Sequence, residues 1–291
     1  MNKKQKIQKY FNQKSQLTLR NKKYLGQAKF LTDFFLKEDC ASRGDITTDL
    51  VIKTNKKITA KIIAKQAGII AGIEEAVWFL KKNKINVVIK VKDGNFTKKA
   101  QIILALHGNI KEILKTERTV LNILQRMSGI ASQTKMIAQK AGKKVLICAT
   151  RKTQWGLLDK KAVILGGGGT HRLGLYDFVL IKENHLKHGA LTKKTAGKLK
   201  NDFWEVEVEN EKQALDMAKL NPSAIMFDDF KPKDIKKAIG EIRKINKSII
   251  FEASGQINEK NINKYVGTGV DVISLGALTH SARAMDISLE I

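Results

Sequence analysis

The residues that could do chemistry gather at six places in the second half of the chain, and each place has a dominant charge. Thr150, Arg151 and Lys152 follow an apolar run at Val145–Ala149, and Lys182, Glu183, Asn184 and His185 follow another at Phe178–Ile181. His171 and Arg172 lie between these two runs. Trp204–Val208 carries Glu205 and Glu207, Ala224–Phe227 leads into Asp228 and Asp229, and Ile249–Ala253 carries Glu252 and leads into Ser254 and Gly255. Val270–Leu275 ends at Gly276, with Thr279 and His280 just beyond. Arg offers a planar fork to carboxylate or phosphate, and Lys a compact point charge. Glu207 and Asp228 could hold ribose hydroxyls, directly or through Mg²⁺. Ser254-Gly255 and Gly276-Ala277 each open a helical stretch, where backbone N–H groups favour phosphate. Cations come first, carboxylates second and backbone donors last, which suits a substrate with several negative groups and a bound divalent cation. The glycine run at 166–169 could be a flexible loop, but beside His171 and Arg172 it favours anion binding, by close backbone approach to a ligand or as an anion-binding nest. No Cys/His set has zinc spacing, and neither a GxSxG elbow nor a Walker motif is present.

The elements that must position these residues follow from the rhythm of the runs. The later apolar segments start about 20 to 26 residues apart, enough for a strand, a helix and two short loops. Helical patterns at Glu211–Leu220, Pro232–Ile245 and Asn258–Val266 fill the gaps. Alternating strand and helix implies a parallel sheet, as a barrel or an open doubly wound sheet. In a βα barrel the loops after the strands open on one face, where the chemistry sits. One polar loop is unremarkable because loops are solvated; six in succession are not. The first 116 residues lack this repeat. They mix strand-like pieces (Lys57–Ala64, Val87–Val91) with helical ones (Leu25–Lys37, Glu74–Asn83), and a long helix follows over about Thr116 to Lys140 with Leu121, Leu124 and Met127 on one stripe. The expected organisation is an N-terminal α/β sandwich domain over residues 1–117 and an α/β barrel catalytic domain over 118–276. The first ~25 residues read as a basic extension, and 277–291 as a segment that packs back on the first domain.

Composition narrows the class. The chain has 291 residues, 43% hydrophobic, enough to bury a full core. No apolar run approaches the 18 or so residues of a membrane span, and no secretory signal is visible. Two cysteines, Cys40 and Cys148, read as reduced thiols in a cytoplasmic protein. The net charge of +26 could mark a polyanion partner. The lysines are spread along the whole chain, however, often as pairs such as Lys81-Lys82 and Lys236-Lys237, and aromatics are only 6%. Nucleic acid is therefore not expected as a partner. Residues 1–32 hold nine Lys/Arg and no acid, so any such contact would start there.

The same segments closely resemble the carboxylating nicotinate-nucleotide pyrophosphorylase family, also called quinolinate phosphoribosyltransferase. The matching text is EDCASRGDITTDL at 38–50, ERTVLNILQRMSGIAS at 117–132, ATRKT at 149–153 and GGGGTHRLGLYDFVLIKENHL at 166–186. EVEVEN at 205–210, IMFDDF at 225–230, EASGQI at 252–257 and SLGALTHSARAMDISL at 274–289 complete it. The resemblance implies an N-terminal α/β sandwich and an incomplete, six- to seven-stranded α/β barrel in a homodimer or higher homo-oligomer, with the site shared between subunits. It implies phosphoribosyl transfer from phosphoribosyl pyrophosphate to quinolinate with decarboxylation, as in de novo NAD biosynthesis, with Mg²⁺ as cofactor. Arg118 would reach the partner subunit's quinolinate. Thr150, Arg151, Lys152, His171, Arg172 and Lys182 would line the quinolinate carboxylates and the phosphoribosyl donor. Glu207 and Asp228 would serve the ribose and the metal, and Ser254, Gly255, Gly276 and His280 the 5′-phosphate. Departures from the family pattern are QWGLLDKKAV after TRKT, where many members have Pro-Gly, Asp229 where Asn is common, and Gln256 where a second Gly is common.

Three rival readings make different predictions. A close relative with another pyridine or base acceptor would be separated by offering nicotinate in place of quinolinate. A barrel using Lys182 as a Schiff-base nucleophile would be trapped by borohydride with a carbonyl substrate. A nucleic-acid-binding module would show salt-dependent binding to duplex DNA and no phosphoribosyl transfer.

Overall fold

The structure, a computed structural model, describes residues 1–189 and 191–291. The first half contains α1 (Lys3–Phe11), α2 (Lys22–Cys40), α3 (Ile46–Val51), β1 (Lys57–Ala64), β2 (Gly68–Ile69) and α4 (Ile73–Lys82). It continues with β3 (Asn86–Ile89), β4 (Phe96–Thr97), β5 (Ile102–Asn109) and the long α5 (Ile110–Ala141). Then come β6 (Leu146–Cys148), α6 (Leu157–Leu165), β7 (Val179–Ile181), α7 (Glu183–His188), α8 (Lys193–Lys198), β8 (Trp204–Val208) and α9 (Glu211–Ala218). The chain closes with β9 (Ala224–Asp228), α10 (Pro232–Ile245), β10 (Ile250–Ser254), α11 (Ile262–Val266), β11 (Val272–Ser274), α12 (Ala277–His280) and β12 (Ile287–Glu290).

These elements form two compact units. One comprises Lys14–Lys135, Thr153–Gly167 and Ser281–Ile291; the other comprises Met1–Gln13, Met136–Lys152 and Gly168–His280. In the first, β12-β1-β5-β3 form an antiparallel sheet. The inner residues of β1, Ala60, Ile62 and Ala64, are buried, alternating with more exposed ones, the pattern of a sheet with one face on a core. Phe79, Ile85, Leu104, Leu106, Leu121 and Leu124 fill that core. Charged groups are buried here only in partnership: Arg126 grips Asp159 with two bonds of 2.9 and 2.8 Å, and Lys161 holds Glu75 at 2.6 Å. Paired burial of this kind avoids the cost of an isolated charge.

The second unit is a six-stranded parallel sheet in the order β6-β11-β10-β9-β8-β7. All five residues of β8 are buried, as a parallel sheet covered on both faces requires. Helix α10 shows how the sequence builds the outer layer. Pro232 occupies its first turn, Arg243 and Lys244 its last, and Ile235, Ala238, Ile239 and Ile242 are buried. Spacing of three and four residues puts those four on one face; the terminal charges complement the helix dipole. A single parallel bridge joins Cys148 to Gly169, so the stretch before β7 lies along β6 without becoming a full strand. The architecture is an incomplete α/β barrel. No helix among the described residues is long and apolar enough to cross a membrane.

Candidate active site

The ends of the barrel strands enclose a cavity of about 530 Å³. Thr150, Arg151, Lys152, His171, Arg172, Lys182, Glu207, Asp228, Ser254, Gly255, Gly276 and His280 all line it. Strand periodicity explains the convergence. Lys182 follows β7, Glu207 and Asp228 lie near the ends of β8 and β9, and Asp228 is in register with Ser254 on β10. Residues two apart on a strand share a face, which brings Leu180 and Met226 into the wall beneath Lys182 and Asp228. These two apolar residues were readable from that periodicity. Gln256, Ile257, Asn258, Ser274 and Ala277, which also line the cavity, come from loop paths and strand ends that sequence does not trace.

Charge is sorted around the wall. Lys182 contacts the Glu207 carboxylate through its Nζ. Burial, Glu207 and Asp229 hold the Asp228 carboxyl above its ordinary value, while Lys182 and Lys152 oppose them. Burial and the nearby Arg151 pull the Arg172 guanidinium below its ordinary value. The loop after β6 is tied down by the Lys152 N–H donating to Thr150 Oγ1 at 3.0 Å and by Thr279 Oγ1 donating to the Lys152 carbonyl at 2.8 Å. Opposite, Gly255 adopts φ +85°, and a Cβ there would lie 2.5 Å from Asp229 Oδ1. Only glycine combines that conformation with that closeness. Two of the three departures from the family pattern meet here: Asp229 and Gln256 both have positive φ, 56° and 44°, and Gln256 Nε2 donates to Asp229 Oδ2 at 3.4 Å.

Below this layer lies a buried cluster of His171, Glu205 and Glu252. His171 Nε2 is 3.3 Å from Glu205 Oε2 and 3.2 Å from Glu252 Oε2. Their ligand atoms lie within 4.8 Å of one another, close enough to suggest a metal. The geometry at the other ring nitrogen argues against one. The Arg172 backbone N–H donates to His171 Nδ1 at 2.8 Å, so Nε2 carries the ring proton and has no lone pair for an ion. Burial depresses the imidazole, but Glu252 and Glu205 more than offset it and draw it up to about 9. The N–H facing Nδ1 works against that second proton. Glu205 is itself raised to about 7 by burial and Glu252, as expected when two carboxylates share a dry site. Nδ1 of His171 is engaged by the Arg172 N–H, Nε2 stays within 3.2–3.3 Å of the two carboxylates without a hydrogen bond, and the residue lines the cavity.

One sequence expectation lands elsewhere. Among the described residues none of Gly166–Gly169 lines the cavity. A Cβ on Gly169 would meet the Phe11 carbonyl at 2.5 Å and Cys148 Sγ at 2.6 Å. Gly169 allows close backbone packing, and the run is not part of this cavity. Arg118 is exposed on α5 and is absent from this cavity wall.

Comparison with known proteins identifies this arrangement. The family description for the quinolinate phosphoribosyl transferase N-terminal domain matches residues 45–128, and that for the C-terminal domain matches residues 130–290. The chain belongs to the quinolinate phosphoribosyltransferase family. A probable carboxylating nicotinate-nucleotide pyrophosphorylase of Methanocaldococcus jannaschii is 40% identical over 261 residues, covering 85% of this chain and 92% of its own. Its Bacillus subtilis counterpart is 37% identical, covering 92% and 94%. The solved nicotinate-nucleotide pyrophosphorylase from Francisella tularensis superposes with a TM-score of 0.82 at 34% identity, covering 91% of this chain and 96% of that one. The fold and family implied by the sequence motifs therefore agree with the structure and its relatives.

Proposed function

We infer that the chain joins quinolinate to phosphoribosyl pyrophosphate, giving nicotinate mononucleotide, pyrophosphate and carbon dioxide, the pentosyl transfer of its family in NAD biosynthesis. One observation carries the residue-level reading: a single cavity holds Arg151, Lys152, Arg172 and Lys182, then Glu207 and Asp228, then Ser254, Gly255 and Gly276. Two ring carboxylates need the cations, a ribosyl cation needs the carboxylates, and a terminal phosphate needs the backbone donors.

In this reading Arg151, Arg172 and Lys182 hold the quinolinate carboxylates and aim the ring nitrogen at C1 of the ribose. The new N–C1 bond forms as the C1–O bond breaks, and its electron pair departs with pyrophosphate. Positive charge on the ribosyl group faces Glu207 and Asp228, which stabilise it electrostatically. The ring nitrogen is then cationic. The adjacent carboxylate leaves as carbon dioxide, its bonding pair remains on the ring carbon beside that charge, and a proton from solvent replaces it. No protein nucleophile is required; position and field suffice. Lys182 is held by its contact with Glu207, and this reading needs no Schiff base from it.

Mg²⁺ fits the donors present: Glu207 and the half-buried Asp228 would supply hard oxygen ligands on neighbouring strands, and the upward shift of Asp228 comes first from burial and then from the negative charge of Glu207 and Asp229, which a cation would offset. When bound, it would neutralise the pyrophosphate leaving group. The exposed Arg118 suits a residue that serves a partner subunit's site, and we read the working form as a homodimer or higher homo-oligomer. Two free thiols, Cys40 and Cys148, support a cytoplasmic setting. The test is incubation with quinolinate, phosphoribosyl pyrophosphate and Mg²⁺, following nicotinate mononucleotide. Product from quinolinate but not from nicotinate supports the assignment. No product from quinolinate, or equal product from nicotinate, overturns it.

A further inference from the structure

Helix α1 lies outside the segments that carry the family match, which begin at residue 45. Its residues are mostly basic or amide-bearing, and a basic extension was all its sequence suggested. In the structure it belongs to the barrel unit. Lys3 pairs with Asp271 at 2.7 Å. At the other end Tyr10 stacks on Phe203 with centroids 4.1 Å apart, and Phe11, fully buried, packs against Phe178, Phe203 and the edge of the His171 ring.

The last carbonyl of the helix makes the decisive contacts. Phe11 O accepts the Thr170 N–H at 2.7 Å and the His171 N–H at 3.3 Å, together with Thr170 Oγ1 at 3.3 Å. The Gln13 N–H donates to Thr170 Oγ1 at 3.2 Å, and Gln13 Nε2 donates to Asp177, which also accepts the Leu173 N–H at 2.7 Å. The segment from Thr170 to Asp177 is thus held from below by α1. His171 stands at φ +51° in that segment, a conformation costly for a residue with a side chain and maintained only where the surroundings impose it. Its neighbour Arg172, 5% exposed, reaches the cavity from the same backbone.

We propose that α1 is a positioning element of the active site, in which the Phe11 carbonyl and Gln13 fix the Thr170–Arg172 backbone and so aim Arg172 at the acceptor's carboxylate. This rests on the reading of the cavity as the quinolinate site. Phe11 touches no reacting group; it acts through His171 and Arg172. None of the hydrogen bonds of the Phe11 carbonyl and Gln13 reaches the phosphate side of the cavity, built from Ser254, Gly255 and Gly276, so the two substrates should respond differently.

The experiment measures KM for quinolinate and for phosphoribosyl pyrophosphate, with kcat, on the full-length chain and on Phe11→Ala, Phe11→Leu and Gln13→Ala. Phe11→Ala is expected to raise the quinolinate KM at least tenfold while the donor KM stays within threefold. Phe11→Leu, which refills most of the space and keeps the carbonyl contacts, should restore the quinolinate KM to within threefold of the parent. A purely structural role would lower kcat through loss of folded protein and leave both KM values alone; that result overturns the proposal. If Phe11→Ala lacks a cooperative melt, Gln13→Ala decides the matter. A threefold or greater rise in its quinolinate KM alone supports the proposal, and an unchanged value overturns it. An unmutated chain inactive on quinolinate would instead refute the functional reading on which the proposal stands.

Discussion

Adding one methyl group at two glycines of the barrel unit should have opposite effects. Gly255 has φ +85°, and its missing Cβ would come within 2.5 Å of Asp229 Oδ1 and 2.6 Å of the Asp229 backbone nitrogen. A side chain in the left-handed region costs about 1–2 kcal/mol, and overpacking against backbone that cannot yield adds about 1–3 kcal/mol. Gly255→Ala is thus expected to lose about 2–5 kcal/mol, a large part of a total stability of roughly 5–15 kcal/mol, and to lower Tm by roughly 5–15 °C. Gly240 lies inside helix α10, exposed, with nothing within 4 Å of a built Cβ. Gly240→Ala should gain about 0.5–1 kcal/mol from the helix alone. Function should separate the pair as well. The Asp229 N–H donates to the Ser254 carbonyl at 3.1 Å, so displacing Asp229 disturbs the phosphate cradle and should raise the donor KM about tenfold, equivalent to ~1.4 kcal/mol. Gly240→Ala should leave it unchanged. Urea melts and initial rates on both variants provide the check. Equal melting of Gly255→Ala and the parent, or an equal loss in both variants, would refute the steric argument.

Three further outcomes are expected. Arg151→Ala and Lys182→Ala should each lower quinolinate turnover by at least about 10²-fold, in line with loss of a charge that positions or stabilises the reacting groups; near-normal rates in both variants would remove the cationic half of the site. Gln256→Gly relieves a side chain at φ +44° and should be neutral or stabilising by up to about 1 kcal/mol in chemical denaturation, whereas a clear loss would mean that the bond to Asp229 outweighs the strain. Burial and the nearby Glu75 raise the Asp93 carboxyl to about 6 from its ordinary 3.8. A raised acid stabilises the folded state below its unfolded value and loses that contribution as pH climbs through the folded one. The stability of the parent minus that of Asp93→Asn should therefore fall by up to about 3 kcal/mol between pH 4 and pH 7; parallel curves would contradict the shift.

What the sequence disclosed depended on how local the signal was. The expected bounds of β8, Trp204–Val208, and of α10, Pro232–Ile245, coincide with the structure, because a β-branched run and a proline-started amphipathic stretch each encode their own conformation. Most of the cavity residues are legible for a related reason: they lie at or just after the end of a barrel strand. Strand β12 escaped notice because ISLE is too short to announce itself and finds its partner, β1, from far along the chain. Helix α6 was hidden by composition. Asp159, Lys160 and Lys161 look like surface residues, yet all three are buried; Asp159 is matched by Arg126 and Lys161 by Glu75, pairings no periodicity reveals. In sequence helix α1 looks like a basic extension, because its anchoring lies in the final aromatic pair and one carbonyl oxygen.

The order in which the chain passes between its two units bears on how it can be made. Residues 1–13 belong to the barrel unit, 14–135 to the other, and three more exchanges precede the final crossing at Ser281. Neither unit is contiguous, so a ribosome cannot finish one before starting the other. The edge of β1 stays open until Ile287–Glu290 has been synthesised, and α1 waits for Thr170 and Phe203 to complete its docking. Such distant closures are slow and leave unpaired strand edges in the interim. The nascent chain is therefore a natural client for chaperones, and expressing either half alone would strand its partner's segments without a fold.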